Sequence, residues 1–441
     1  MSSGSTGRVT GHPVHGRAWR VGMALCMGGL LLAGCGSQGG GSGGSGGVAS
    51  GGAGASNSAN AAGGGPGGSA ATGTPIKIGV VTTLTGALAD YGQEWQRGFK
   101  IGLEYATNGT NAVDGHPIQV TWKDDANDPN QAVTAAKSLL QTEKVDILAG
   151  GANSASAIAM EPIAKQNKTV YVVGPAVSDS ITGKYYNPYI FKVSPNSYME
   201  AKAAVLSIPD DHATVAQLAP NYAFGWDSVK AFKDLATQRG LQDVLDVYAD
   251  PKATDFTPQL TKIIQQHPKY LFVTWAGAPG PWKAINDMKL QQQGITIVTG
   301  IPNIAAIKAL FQGFDGMRGF TTYYYTLPKN PINDYLVAHE KSEFNTVPDL
   351  FDPDGMAAAI AIVEGLKKTN GDPNGDRLSE AMAGMTFQGP KGTYTFRKED
   401  HQALQDQYGV ILKSQPGVDY PVPTLTHVIS AQDTVPPVLN R

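Results

Sequence analysis

From Pro75 onward the chain predicts an α/β fold made of two doubly wound, Rossmann-like lobes. Three observations carry this expectation. Short β-branched runs alternate with helical patterns along the whole segment, and repeated β-α-β order gives parallel sheets covered on both faces. The alternation falls into two series that divide near residues 191–198. The 367 residues after Thr74 are enough chain for two hydrophobic cores.

In the first series, Ile76–Thr82 reads as a strand and Asp90–Thr107 as a helix closed by Asn108-Gly109. Ile118–Lys123 is a strand, and Asp128-Pro129 is an N-cap with proline at the first helical position, opening a helix to about Thr142. Val145–Gly150 (strand), Ser156–Gln166 (helix), Thr169–Val173 (strand) and Phe191–Val193 complete it. The second series has strands at Thr214–Leu218, Val244–Tyr248, Tyr270–Trp275 and Ile295–Thr299. Helices lie between them near Trp226–Arg239, Pro258–Gln266 and Pro281–Gln292. A strand at Gly319–Thr326, helices at Ile332–Phe344 and Met356–Lys368, and a short strand at Thr393–Arg397 follow. In open parallel sheets a ligand sits at the carboxyl ends of the strands, near a switch in strand order, so two lobes predict a cleft between two such edges.

The composition separates a tether from a body. Of 54 glycines, eight lie in residues 1–35 and seventeen in 36–74, leaving 29 from Pro75 on, close to the ordinary share of roughly 7%. Residues Gly36–Thr74 are nearly all Gly, Ser, Ala and Asn, a flexible coil with a reach of roughly 35 Å. The first 74 residues carry Arg8, Arg17 and Arg20 and no acid, so the net charge of −3 conceals a body at −6. Such a body lacks the basic footprint that nucleic acid requires.

The amino terminus reads as an address. A positive segment precedes the short apolar run Val21–Leu32, which ends in Leu32-Ala33-Gly34-Cys35. This stretch resembles a bacterial lipobox, which implies cleavage after residue 34, lipidation of Cys35, and an extracytoplasmic body leashed to the cell membrane by residues 35–74. Cys26 leaves with the leader, so the mature chain has no cysteine pair for a disulfide.

Several motifs stand in a telling order. Ile76-Lys77-Ile78-Gly79-Val80 precedes Leu84-Thr85-Gly86 and Tyr91-Gly92. Asp124-Asp125-Ala126-Asn127-Asp128-Pro129, Gly150-Gly151-Ala152-Asn153-Ser154-Ala155-Ser156 and Gly174-Pro175-Ala176-Val177-Ser178 follow, then Asp255-Phe256 and Gly389-Pro390-Lys391-Gly392. Together they resemble the type I periplasmic-binding-protein fold, in its leucine/isoleucine/valine-binding branch. The resemblance implies a three-segment hinge with crossings near 195, 321 and 389. Lobe 1 would then be 75–194 plus 322–388, and lobe 2 would be 195–321 plus 389–441. It implies a monomer that carries a small solute to an ABC permease and its ATPase.

Carried over residue by residue, the resemblance makes Tyr91 a lid and the start of the helix at Ser154, Ala155 and Ser156 an anion site for a ligand carboxylate. Ala176, Val177 and Ser178 form a second loop giving backbone groups and one hydroxyl. Phe224 and Trp275 supply aromatic walls from the second lobe, with core packing as their ordinary alternative. Pro302 and Asn303 fall where amino-acid-binding members place an acid that pairs with the ligand ammonium. No Asp or Glu occurs between Asp287 and Asp315. A buried ammonium without a partner is expensive, so either an acid comes from elsewhere or the ligand lacks an α-amine. Asn127 and Asn153 stand where some members have a disulfide.

No enzyme constellation emerges, and the reading includes no cofactor and no metal. The histidines after Pro75 are scattered, and there is no H-E-x-x-H, P-loop, G-x-S-x-G elbow or G-x-G-x-x-G after a strand. Asp124, Asp125 and Asp128 lack the glycine and final acid of an EF-hand loop and read as a capped turn. The alternative to transport is a ligand-sensing receptor domain of the same fold.

Overall fold

A computed structural model describes residues 73–277 and 280–440. The expected signal peptide, Cys35 and nearly all of the glycine-rich segment lie outside the described residues.

The first sheet opens with β1 (Ile76–Thr82), followed by α1 (Ala89–Ala106) and the hairpin β2 (Ala112–Val113) and β3 (His116–Asp124). Asp128 caps α2 (Pro129–Ser138) by accepting from the Asn130 amide, and the helix runs on into a π-helical turn to Glu143. β4 (Ile147–Gly150), α3 (Ser154–Asn167), β5 (Tyr171–Val173) and β6 (Ile190–Lys192) complete the unit. The order β2-β3-β1-β4-β5-β6 is parallel apart from β2 at the edge. The direction of winding reverses between β1 and β4, a topological switch point.

The second unit comprises α4 (Ser197–Leu206), β7 (Thr214–Pro220), α5 (Ala223–Gln238), β8 (Gln242–Ala249), α6 (Thr257–Gln265) and β9 (Tyr270–Val273). α7 (Trp282–Asp287), β10 (Thr296–Thr299), α8 (Ile304–Leu310) and β11 (Arg318–Thr321) follow. Its sheet, β10-β9-β7-β8, is parallel throughout. The expected helix 281–292 breaks after Asp287, where Lys289 takes a left-handed conformation before a 3₁₀ turn ending at Gly294.

The chain then returns to the first core through α9 (Pro331–Phe344), α10 (Asp352–Lys368) and α11 (Gly375–Met382). α10 is buried on nearly every side and lies against α1. The contact is close enough that a Cβ on Gly98 would stand 1.8 Å from the Asp352 carbonyl oxygen, and one on Gly355 would stand 2.0 Å from that of Trp95. Next come β12 (Thr386–Gly389), β13 (Gly392–Phe396) and β14 (Ala403–Leu404), then β15 (Gln407–Lys413) and β16 (Val422–Ile429).

The cores show where the chain crosses. Trp95, Phe191, Met356, Leu378, Tyr394, Phe396 and Ala403 share one core. Leu218, Leu271, Tyr324, Tyr408 and Val410 share another. The first two passages lie at 193–196 and 325–330, beside the crossings near 195 and 321 that the resemblance implies. The third lies elsewhere. Gly389-Pro390-Lys391-Gly392 is the turn of a hairpin, with Gly389 paired to Gly392 and Gly392 at φ +101°. Residues 389–403 therefore pack with the first core, and the crossing lies at 404–407 rather than at 389.

Candidate functional site

The carboxyl ends of both parallel sheets face one cavity of about 100 Å³. The first sheet contributes Tyr91 one turn into α1, Ala152 and Ser154 after β4, and Ala176 and Val177 after β5. Tyr222 and Phe224 follow β7, Trp275 follows β9, and Ile301 and Pro302 follow β10. Phe351, at the start of α10, meets the Tyr91 ring edge-on at 4.5 Å. Trp275 stands edge-on to Phe256 at 5.0 Å and also borders an outer cavity of about 720 Å³.

Seven of the residues singled out from the sequence line this cavity: Tyr91, Ser154, Ala176, Val177, Phe224, Trp275 and Pro302. Four do not. The Ala155 and Ser156 amides already donate to Asn153 Oδ1, at 2.7 and 3.3 Å, because Asn153 is the N-cap of α3. Ser178 Oγ donates to Asp227 on α5 of the opposite unit. Asn303 faces away from the inner cavity. Its Oδ1 caps α8 through the Ala306 amide at 3.0 Å, and its Nδ2 donates to Glu94 Oε1 of α1 at 3.2 Å.

Two backbone donors, one at the start of α3 and one in the loop after β5, stay free. Ser154 N–H, at the first helical position, and Val177 N–H make no hydrogen bond within the protein among the described residues. Both belong to residues that line the cavity. Free amides at a helix start favour a negative group. Asn153 is held from behind by Asn127, Nδ2 to Oδ1 at 2.6 Å, so two asparagines brace the loops where the resemblance places a disulfide in other members. The acid-rich run before α2 is also turn chemistry. Asp124 Oδ1 accepts from the amides of Leu84 (2.9 Å) and Ala126 (2.8 Å), and Asp125 Oδ1 accepts from Thr83 Oγ1 at 2.7 Å.

Polar contacts join the units on both sides of the cavity. On one side, Asp227 Oδ2 accepts from Ser178 Oγ and from the amide and hydroxyl of Ser180, each at 3.2 Å. On the other, Asp349 Oδ2 accepts from the Ile304 amide at 2.7 Å, beside the Asn303–Glu94 bond. Burial, and each carboxyl's charge on the other, push Glu94 well up, while burial lifts Asp349 to about 7.

Sequence reasoning missed Glu200, in the first turn of α4, which is the only formally charged side chain lining the inner cavity among the described residues. Burial raises its pKa to about 7. The signal that could have found it is the run Pro195-Asn196-Ser197, in which Asn196 Oδ1 accepts from the Met199 amide and starts a helix straight out of the first crossing.

The match to known proteins follows this geometry. A family described as periplasmic binding protein matches residues 75–415. The chain belongs to the periplasmic binding protein family. The family is extracytoplasmic and binds solutes rather than turning them over. As a periplasmic binding protein, the chain is 27% identical over 355 residues to the Leu/Ile/Val-binding protein homolog 6 of Brucella abortus, which covers 77% of this chain and 88% of that one. It resembles an ABC-type branched-chain amino acid transporter structure from Rhodopseudomonas palustris, at 37% identity and a TM-score of 0.74, over 83% of this chain and 100% of that one. A solute-binding protein of an ABC transporter from R. palustris, solved with 3,4-dihydroxybenzoic acid, is 25% identical with a TM-score of 0.72, over 81% and 98%.

Proposed function

We propose that this periplasmic binding protein is the solute-capturing component of an ABC importer, held on the outer face of the cell membrane by a lipid on Cys35. It binds a small organic solute, an amino acid, carboxylate or amide, between the two sheets and delivers it to a permease. The observation that supports this most strongly is a cavity made by the carboxyl ends of both sheets, with the Ser154 and Val177 amides on one wall and Phe224 and Trp275 on the other. A solute that touches both walls does so only when they are together, so binding shifts the population toward closure. The Asp227 and Asp349 contacts bridge the same gap and favour the closed arrangement. The names of the relatives add amino acids and aromatic carboxylates as ligand chemistries to test.

Cleavage after residue 34 and acylation of Cys35 would display the body, as a monomer, on a leash of about 40 residues. Mass spectrometry of the membrane-extracted protein should find a diacylated or triacylated Cys35 at the amino terminus. A soluble chain beginning elsewhere would refute the anchor. The binding role is tested by thermal unfolding against a solute panel, in which a true ligand at 100 times its dissociation constant adds about 2.7 kcal/mol.

A further inference from the structure

We propose that Glu200 selects for solutes that carry a protonated amine beside their carboxylate, and that α4 thereby supplies the acid missing from the loop after β10. This rests on the solute-binding reading above and narrows it.

Three features of the site support the assignment. The Glu200 carboxyl lines the inner cavity, yet it accepts no side-chain hydrogen bond and has no Lys, Arg or His nitrogen within 4 Å among the described residues. Among the described residues no Lys, Arg or His lines that cavity, so none of them reaches this group from the ligand side. The nearby Lys192 is directed elsewhere: its Nζ donates to the carbonyl and hydroxyl oxygens of Ser194, each at 3.0 Å, and to the Pro195 carbonyl. Glu200 is half-buried, and a solute that fills the cavity shuts water from its carboxylate, which is costly unless the solute itself brings a cation. The free amides of Ser154 and Val177 stand on the wall contributed by the first unit, while Glu200 belongs to α4 of the second. A zwitterion placed between them satisfies both walls at once, and a plain carboxylate satisfies only one.

Other groups face Glu200, and three of them titrate in the same range. Burial lowers Lys192 at the end of β6 to about 7 and also lowers Lys391 in the β12–β13 turn. Burial raises Asp179 after β5 to about 7 and Asp354 in α10 to about 6. A pH profile therefore identifies Glu200 only by comparison with a variant that cannot ionise there.

The test is calorimetric titration of the full-length protein with matched pairs, leucine against 4-methylpentanoate and phenylalanine against 3-phenylpropanoate, with 4-hydroxybenzoate as an amine-free aromatic acid. The wild-type protein should favour an amine-bearing member by at least about 100-fold. Glu200→Gln should reduce that preference by about 30-fold while moving the amine-free affinity by less than about threefold. Affinity for the amine-bearing member should rise between pH 5.5 and 8 as Glu200 ionises, and this rise should flatten in Glu200→Gln. Equal or tighter binding of the amine-free members, or an unchanged preference in Glu200→Gln, overturns the assignment of Glu200 while leaving the solute-binding reading intact. Failure of every member to bind overturns both.

Discussion

The family resemblance implies a ligand-facing hydroxyl at Ser178, whereas in the structure this hydroxyl donates to Asp227. This difference can be measured with a double-mutant cycle. Asp227 Oδ2 accepts three hydrogen bonds from the opposite unit: one from Ser178 Oγ and two from Ser180 at 3.2 Å. Hydrogen bonds to a charged group contribute about 1.5–3 kcal/mol each when fully buried. Asp227 is only partly buried, and solvent screening reduces the set to about 2 kcal/mol in total. If these bonds exist only in the closed form, Asp227→Ala weakens apparent solute affinity by about 30-fold. Ser178→Ala removes one bond and weakens it by about fivefold. In the Asp227→Ala background the Ser178→Ala loss should nearly vanish, giving a coupling energy of about 1 kcal/mol. Isothermal titration of the four proteins with one solute provides the cycle. A Ser178→Ala loss that persists undiminished without Asp227 would mean that the hydroxyl meets the ligand directly, and the closure account would fall.

Other perturbations follow from the same contacts. Trp275→Ala should weaken solute binding by about 10-fold or more, because the ring lines the inner cavity and borders the outer one; unchanged affinity would return Trp275 to a packing role. Gly98→Ala should destabilise the protein by about 3 kcal/mol in denaturant titration, since the new methyl meets the Asp352 carbonyl and forces α1 away from α10. Glu161 is buried with both carboxyl oxygens unpartnered, and desolvation raises its pKa to about 10. A pKa raised on folding means the native state holds a proton that the unfolded chain releases above about 4.5, so stability falls as pH rises from there toward 10. Glu161→Gln should therefore raise the melting temperature at pH 8, by about 1–3 kcal/mol of stability, and the gain should disappear near pH 4.5; a gain independent of pH would refute this.

Strand and helix alternation made the fold legible, because each period reports which face a segment buries. β1 was expected at Ile76–Thr82 and is found there, and the Asp128-Pro129 start of α2 reappears as a cap with its hydrogen bond. The loops after β1, β4 and β5 were legible for the same reason, since they follow the strand ends of a doubly wound sheet. Local signals did not extend to partners distant in the chain. Gly-Pro-Lys-Gly suits either a hinge or a tight turn, and only the packing of Tyr394 and Phe396 decides for the turn. α4 lacks a one-sided apolar stripe, being buried on several faces, and so it hid both a helix and Glu200. Whether Asn153 binds a ligand or caps its own helix depends on its φ of −91° and ψ of 129°, which put its side chain over the Ala155 and Ser156 amides. Of the amides of Ser154, Ala155 and Ser156, this leaves only that of Ser154 without a partner among the described residues.

The central claim is that one small solute binds in the cavity between the two sheets and holds them closed. Isothermal titration of the purified protein with amino acids, aromatic carboxylates and amides tests it most directly. At least one of these solutes should bind with one site per chain, and Asp227→Ala should weaken it. Saturable binding at another stoichiometry, affinity unmoved by Asp227→Ala, or heat from continuing turnover of the solute would contradict it.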